Sequence, residues 1–243
     1  MQTQADTGRS VLLRAAVLLG AAALVLVVML GLGWLVTHAE PGTGLAALDI
    51  GIDAGLAAHR TPALDVASEI ATNLCSTTNV FVLGFLAAGA SALLLRRWWP
   101  VLLLVVALVG ELALFLATAM IVARPRPPVA HVDAALPPTS SFPSGHTGAA
   151  ICLFGGIAVI VWCTVRARWR WVVAALAAVL VVTVAAARMY RGAHYLTDAV
   201  GSVVLAVPWL LVTLWAVHPG RLSGVGQAEP VWRRQPRGPE RAP

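Results

Sequence analysis

The sequence contains no lysine: all 17 of its basic residues are arginines. We read this as a bias of genome composition, and its consequence is that every fixed side-chain cation is a guanidinium. Charge of either sign is scarce. Only 12% of the residues are charged and mean hydropathy is +0.82, whereas a soluble domain carries roughly a quarter charged residues. An ordinary soluble fold is thereby excluded. Cysteine is scarce as well. Cys75, Cys152 and Cys163 show neither an even count nor C-x-x-C spacing, which argues against a disulfide framework and against a zinc site. The chain also lacks an internal repeat. A net charge of +6 and a pI near 10.5 could suggest nucleic acid, but the arginines fall in short clusters beside apolar runs. Anionic headgroups and membrane orientation explain that distribution, and no nucleic-acid partner is expected.

Apolar sequence is abundant, at 59% of residues. A spanning helix needs about 20 largely apolar residues, and the chain offers six such stretches, at 11–36, 72–95, 100–123, 146–165, 172–190 and 195–217. The expected fold is an all-α integral membrane bundle of six transmembrane helices. It forms one domain over 1–217, followed by a disordered cytoplasmic tail over 218–243 rich in Gly, Pro, Arg and Gln. The first stretch, with Arg9 just before it and Arg14 at its start, is too long for a cleaved signal peptide, so it reads as a retained span.

Arg96 and Arg97, then Arg166, Arg168 and Arg170, then the arginines of the tail lie in alternate connections. The positive-inside rule makes those cytoplasmic, together with both termini. Trp98, Trp99, Trp162, Trp169 and Trp171 stand beside these arginines and read as interfacial anchors. The segment 38–71 and the Pro-rich loop 124–145 fall on the other face. Within 38–71 the apolar pattern suggests one or two short interfacial helices broken near Thr61-Pro62.

Three polar groups stand at that outer end of otherwise apolar helices: Arg124-Pro125-Arg126-Pro127, Pro143-Ser144-Gly145-His146, and Arg188 with His194 and Asp198. Ionisable residues so close to a bilayer core are costly unless paired, buried in protein or functional. His146 begins the fourth span and His194 the sixth, beside backbone amides that lack intrahelical partners and attract anions. His194 and Asp198 are four residues apart, so the carboxylate is expected to accept the Nδ1 proton and leave Nε2 as a nucleophile. Phosphoryl transfer to a histidine also needs cations on the equatorial oxygens and an acid for the leaving alkoxide. Arg126 and Arg188 supply the first, Ser144 and the Gly145 amide add hydrogen bonds, and His146 supplies the proton. His131 reads as loop surface, and Glu111 in mid-span reads as a structural hydrogen-bonding group between helices.

These motifs resemble those of the type 2 phosphatidic acid phosphatase superfamily, whose signature is K-x6-R-P, P-S-G-H and S-R-x5-H-x3-D. The resemblance covers residues 119 to 198, with Arg126-Pro127, Pro143 to His146, and Arg188, His194 and Asp198 in place. It implies a metal-independent hydrolase of phosphoric esters or diphosphates without a cofactor. It further implies a phosphohistidine on His194, His146 as general acid, Asp198 orienting the nucleophile, and phosphate contacts from Arg126, Ser144, Gly145 and Arg188.

The chain departs from the pattern twice, with Ala119 at the lysine and Ala187 at the serine. Arg124, and less so Arg191, are the candidates to replace the missing cation. The expected substrate is a lipid phosphate, an isoprenoid diphosphate such as undecaprenyl diphosphate fitting best. Phosphatidic acid and phosphatidylglycerol phosphate are the alternatives. A lipid phosphotransferase and a catalytically silent membrane protein are the competing readings, and the oligomeric state is open.

Overall fold

The computed structural model describes residues 2–40, 42–133, 136 and 140–218, with side chains from residue 10 onward in the first helix. The expected tail over 218–243 lies outside the described residues apart from His218. Eight helices and no strand are present among the described residues. They are α1 (Gln2–Thr37), α2 (Gly44–Ala58), α3 (Pro62–Asn73), α4 (Thr77–Leu95), α5 (Trp99–Val122), α6 (Gly145–Thr164), α7 (Arg170–Tyr190) and α8 (Leu196–Val217). Six of these, all but α2 and α3, are long and apolar enough to cross a membrane. Leu93 at 81% and Phe85 at 78% exposed are apolar side chains on the outside of the bundle, as a lipid-facing surface requires.

The span boundaries agree with the sequence reading except at the second. That span begins at Thr77 rather than 72, because α3 occupies the chain to Asn73 and the Ser76 hydroxyl accepts from the Asn79 amide at 3.4 Å to cap a new helix. Between α2 and α3 the chain breaks where expected. Thr61 is extended and its hydroxyl accepts from the Leu64 amide at 3.3 Å, with Pro62 in the first turn.

The core lies where α5 and α8 meet α1 and α6, filled by Leu103, Leu104, Leu153, Leu205 and Trp209. Its fit depends on missing side chains. A Cβ on Gly110 would lie 2.0 Å from the Trp209 ring, which instead donates its indole N–H to the Ala107 carbonyl at 3.1 Å. Midway along α6 a π-helical turn, Ile151–Gly155, shifts the register of the helix. The short helices α2 and α3 pack across α7 and α8, and this brings Asp49 of α2 beside Arg124 and Thr197.

Candidate active site

Four chain segments converge at one end of the bundle: the loop after α5, the start of α6, the end of α7 and the turn into α8. The loop is fixed by the Ser141 amide, which donates to the Arg124 carbonyl at 2.9 Å, and by the Ser141 hydroxyl, which donates to the Pro125 carbonyl at 2.9 Å. The turn from α7 to α8 passes through Gly192 at φ +74°, where a Cβ would meet Val129 at 3.0 Å and the Ala130 carbonyl at 3.2 Å. Glycine is required there on both counts, and the turn delivers His194 two residues before α8.

His194 is 4% exposed. Its Nδ1 lies 2.6 Å from the Ser141 carbonyl and 3.6 Å from Asp198 Oδ2. A carbonyl can only accept, so Nδ1 carries the hydrogen and a neutral ring presents an unprotonated Nε2. Burial lowers the imidazole below its usual range, against the opposing pull of Asp198, so the ring is neutral at physiological pH.

The expected direct Nδ1 to Asp198 bond is therefore replaced by one to the Ser141 carbonyl. Asp198 sits in the first turn of α8, where its Oδ2 accepts from the Tyr195 amide at 2.9 Å and its Oδ1 from Arg124 at 2.5 Å. The unpartnered amide of the helix start draws the carboxylate away from the imidazole. Asp198 acts on His194 through space and by fixing the turn.

A cavity of about 210 Å³ opens beside His194. His146, Gly145, Arg126, Arg188 and His194 line it together with Glu111, Leu108, Val80 and Phe81. The structure thus gathers five of the residues predicted for the site around one space. Arg188 Nε is buried with no partner among the described residues, a donor left for a ligand, while its Nη1 donates to Asp133 at 3.2 Å. Arg126 donates to the Ala193 carbonyl at 2.7 Å, which holds it across the mouth of the turn. Ser144 does not line the cavity. It is 1% exposed, its hydroxyl accepts from Thr147 at 3.0 Å and its amide donates to the Asp198 carbonyl at 3.2 Å, so it joins α6 to α8. His131, 3.2 Å from the Pro127 carbonyl, remains an exposed loop residue.

Neither candidate replacement for the missing lysine is available. Arg124 is 7% exposed and donates to Asp49 at 3.0 Å, Asp198 at 2.5 Å and Thr197 at 2.8 Å, with the Tyr195 ring 4.0 Å from its guanidinium carbon. Arg191 is held by Asp133 and donates to Ser68 and to the Asp65 carbonyl, each at 3.2 Å. Arg124 is neutralised by buried carboxylates and Arg191 by the half-buried Asp133, and neither lines the cavity. Burial would raise Asp133, but bonds from Arg191 and the charges of Arg188 and Arg191 hold it below the usual carboxylate range. No group of side chains suited to a metal ion occurs among the described residues.

Sequence reasoning missed Asp49, Asp133, Thr197 and the Ser141 carbonyl. The segment 38–71 does hold the acids Glu40, Asp49, Asp53, Asp65 and Glu69, the one signal that could have pointed to the first. Asp53, 1% exposed on α2, has no partner for either carboxyl oxygen among the described residues. Burial, then Asp49 and Asp198, push it up to about 7, against the lowering effect of Arg124. Its folded value lies above its unfolded 3.8, so its contribution to stability is whole below that value and is lost as pH rises through about 7. Asp53→Asn is expected to flatten this loss. Melting in detergent at pH 5 and pH 8 checks it: the variant gains on the wild type at pH 8 and much less at pH 5.

The profile of the PAP2 superfamily matches residues 98–221, just over half of the chain and all three polar groups. The chain belongs to the PAP2 superfamily. A crystal structure of a transmembrane PAP2 type phosphatidylglycerolphosphate phosphatase from Bacillus subtilis superimposes on this PAP2 chain with a TM-score of 0.69 at 22% identity. The match covers 79% of this chain and 93% of that one, and it shows a shared fold. No curated protein matches the sequence. Within the PAP2 fold, the end of the bundle that carries the three motifs is the end at which the cavity opens.

Proposed function

We propose that this PAP2 protein is a phosphatase of lipid phosphate monoesters acting through a phosphohistidine on His194, at the extracytoplasmic face of a cell membrane. The observation that carries the reading is the 2.6 Å contact of His194 Nδ1 with the Ser141 carbonyl, which assigns the hydrogen to Nδ1 and leaves Nε2 as the nucleophile of a residue that lines the cavity with two arginines and His146.

The chemistry runs in two steps. Nε2 attacks phosphorus while the ester P–O bond breaks, Arg126 and Arg188 take up charge on the equatorial oxygens, and His146 protonates the departing alkoxide. Water then attacks the phosphohistidine, giving its proton to His146, and inorganic phosphate leaves. Asp198 positions the turn that holds His194, and the Gly145 amide at the start of α6 donates toward the phosphoryl group.

Two features support a monoester over the isoprenoid diphosphate. Among the described residues the cations that line the cavity are Arg126 and Arg188, and the acid that lines it is Glu111. A phosphate joined directly to the first would have no cation of its own there. Lipid access is supported by an apolar groove between α4 and α5. It shares Phe81 and Leu108 with the cavity and continues past Gly84, Ala88 and Gly89 to Trp98, a track for an acyl chain.

The test is phosphate release by the purified protein in mixed micelles containing chelator, on phosphatidic acid, phosphatidylglycerol phosphate and undecaprenyl diphosphate. The reading expects release from a monoester without any added acceptor. Release only when an acceptor alcohol is supplied supports a phosphotransferase, and no release on any lipid defeats the assignment.

A further inference from the structure

Glu111 is the charged-type residue that the chemistry above leaves unused. It sits in the middle of α5 and is 3% exposed, yet its carboxyl makes no hydrogen bond or ion pair to any described residue. The expected interhelical hydrogen bond is absent among the described residues. The side chain lines the same cavity as His146. A carboxyl in a membrane helix that faces only a cavity is costly to keep, so the position points to a ligand that completes it.

The surroundings are shaped to hold it. A Cβ on Gly148 would lie 2.2 Å from Glu111 Oε1, so the helix that carries His146 is bare where the carboxyl rests against it. A Cβ on Gly145 would lie 2.9 Å from the Phe115 ring, and Phe115 also lines the cavity. With Gly145 against Phe115 and Gly148 against Glu111, the two helices run side by side so that Glu111 follows His146 about one helical turn along them, with Leu108 a further turn on. A phosphate held by the arginines points its ester oxygen at His146. The alcohol beyond that oxygen then lies against Glu111 before the lipid tail reaches the groove.

We propose that Glu111 is a specificity-determining residue that accepts a hydrogen bond from a free hydroxyl on the leaving alcohol. The inference rests on the phosphatase reading above. It selects phosphate monoesters of a polyol headgroup over lipids whose ester carbon is flanked only by acyl esters or hydrocarbon, since those leave the carboxyl desolvated and unpaired.

The test pairs a change in the substrate with a change in the residue. Wild-type protein is assayed on phosphatidylglycerol phosphate and on its analogue lacking the hydroxyl next to the phosphate ester, then Glu111→Leu and Glu111→Gln are assayed on both. For the wild type the expected kcat/KM ratio favours the hydroxyl lipid by about 10- to 100-fold, the worth of one buried hydrogen bond. Glu111→Leu brings the ratio close to one, and Glu111→Gln, which keeps an acceptor oxygen, restores most of it. A wild-type ratio near one overturns the proposal without any variant having to fold. Equal losses on both lipids in Glu111→Leu also overturn it, while the phosphatase reading stands. Absence of release by the wild type on either lipid or on phosphatidic acid overturns both.

Discussion

Replacing His194 with glutamine is expected to lower phosphate release from any lipid by at least about a thousandfold, the scale of losing a catalytic nucleophile. Glutamine fills the space and can still donate to the Ser141 carbonyl, which now accepts from Nδ1 at 2.6 Å, so the turn before α8 is retained. What disappears is the Nε2 lone pair. His146→Gln provides the contrast. As the acid it matters in proportion to how poor the leaving group is, so this variant loses about a hundredfold or more on a lipid alkoxide and far less on p-nitrophenyl phosphate. His194→Gln fails equally on both. Steady-state kinetics on the two substrates, with a melting curve for each protein, separates the roles. A His194→Gln protein that keeps its rate on p-nitrophenyl phosphate would remove His194 from the chemistry.

The second large effect is on stability. Arg124 is enclosed by Asp49 and Asp198, at 3.0 and 2.5 Å, with the side chains 1% and 0% exposed. Arg124→Ala leaves both carboxylates buried without their cation, beside an Asp53 that already lacks a partner. Removal of one member of such a buried pair costs about 3–5 kcal/mol. The expected result is a marked drop in melting temperature in detergent, and a poorly formed turn at Tyr195 and His194. KM for the fraction that folds should change little, because Arg124 does not touch the cavity. Arg124→Ala combined with Asp49→Asn removes one of the two stranded charges and should recover part of the loss. A variant of normal stability with a raised KM would return Arg124 to the phosphate site.

Much of this was legible in the sequence. Twenty-residue apolar runs fix their own spans because a helix of that length is the unit that satisfies its backbone in lipid. The three motifs placed His146, His194, Arg126 and Arg188 at one end, and those four line one cavity. What could not be read were contacts set by the path of the backbone. The partner of His194 Nδ1 is a main-chain carbonyl 53 residues away, which no side-chain pattern encodes. Helical spacing correctly put Asp198 near His194, but the amide of Tyr195 competes for the same oxygen.

Arg124 looked like a spare cation because its neutralising partner, Asp49, lies 75 residues earlier on a helix outside the motifs. Glu111 stood out as a carboxyl in mid-span, and its position beneath His146 emerges only when α5 and α6 are packed through Gly148. Ser144 illustrates the opposite case: a motif serine whose hydroxyl accepts from Thr147 at the start of α6 while its backbone joins α6 to α8.

The direct measurement of the central claim is capture of the covalent intermediate. Purified protein is mixed with phosphatidic acid or phosphatidylglycerol phosphate labelled in the phosphate, quenched in alkali within the first turnover, and digested for peptide mapping. The account predicts label on the peptide that contains His194, stable in base and released by acid, and absent from His194→Gln. Label on His146, on an acidic residue, or on no peptide while wild-type turnover proceeds would contradict it.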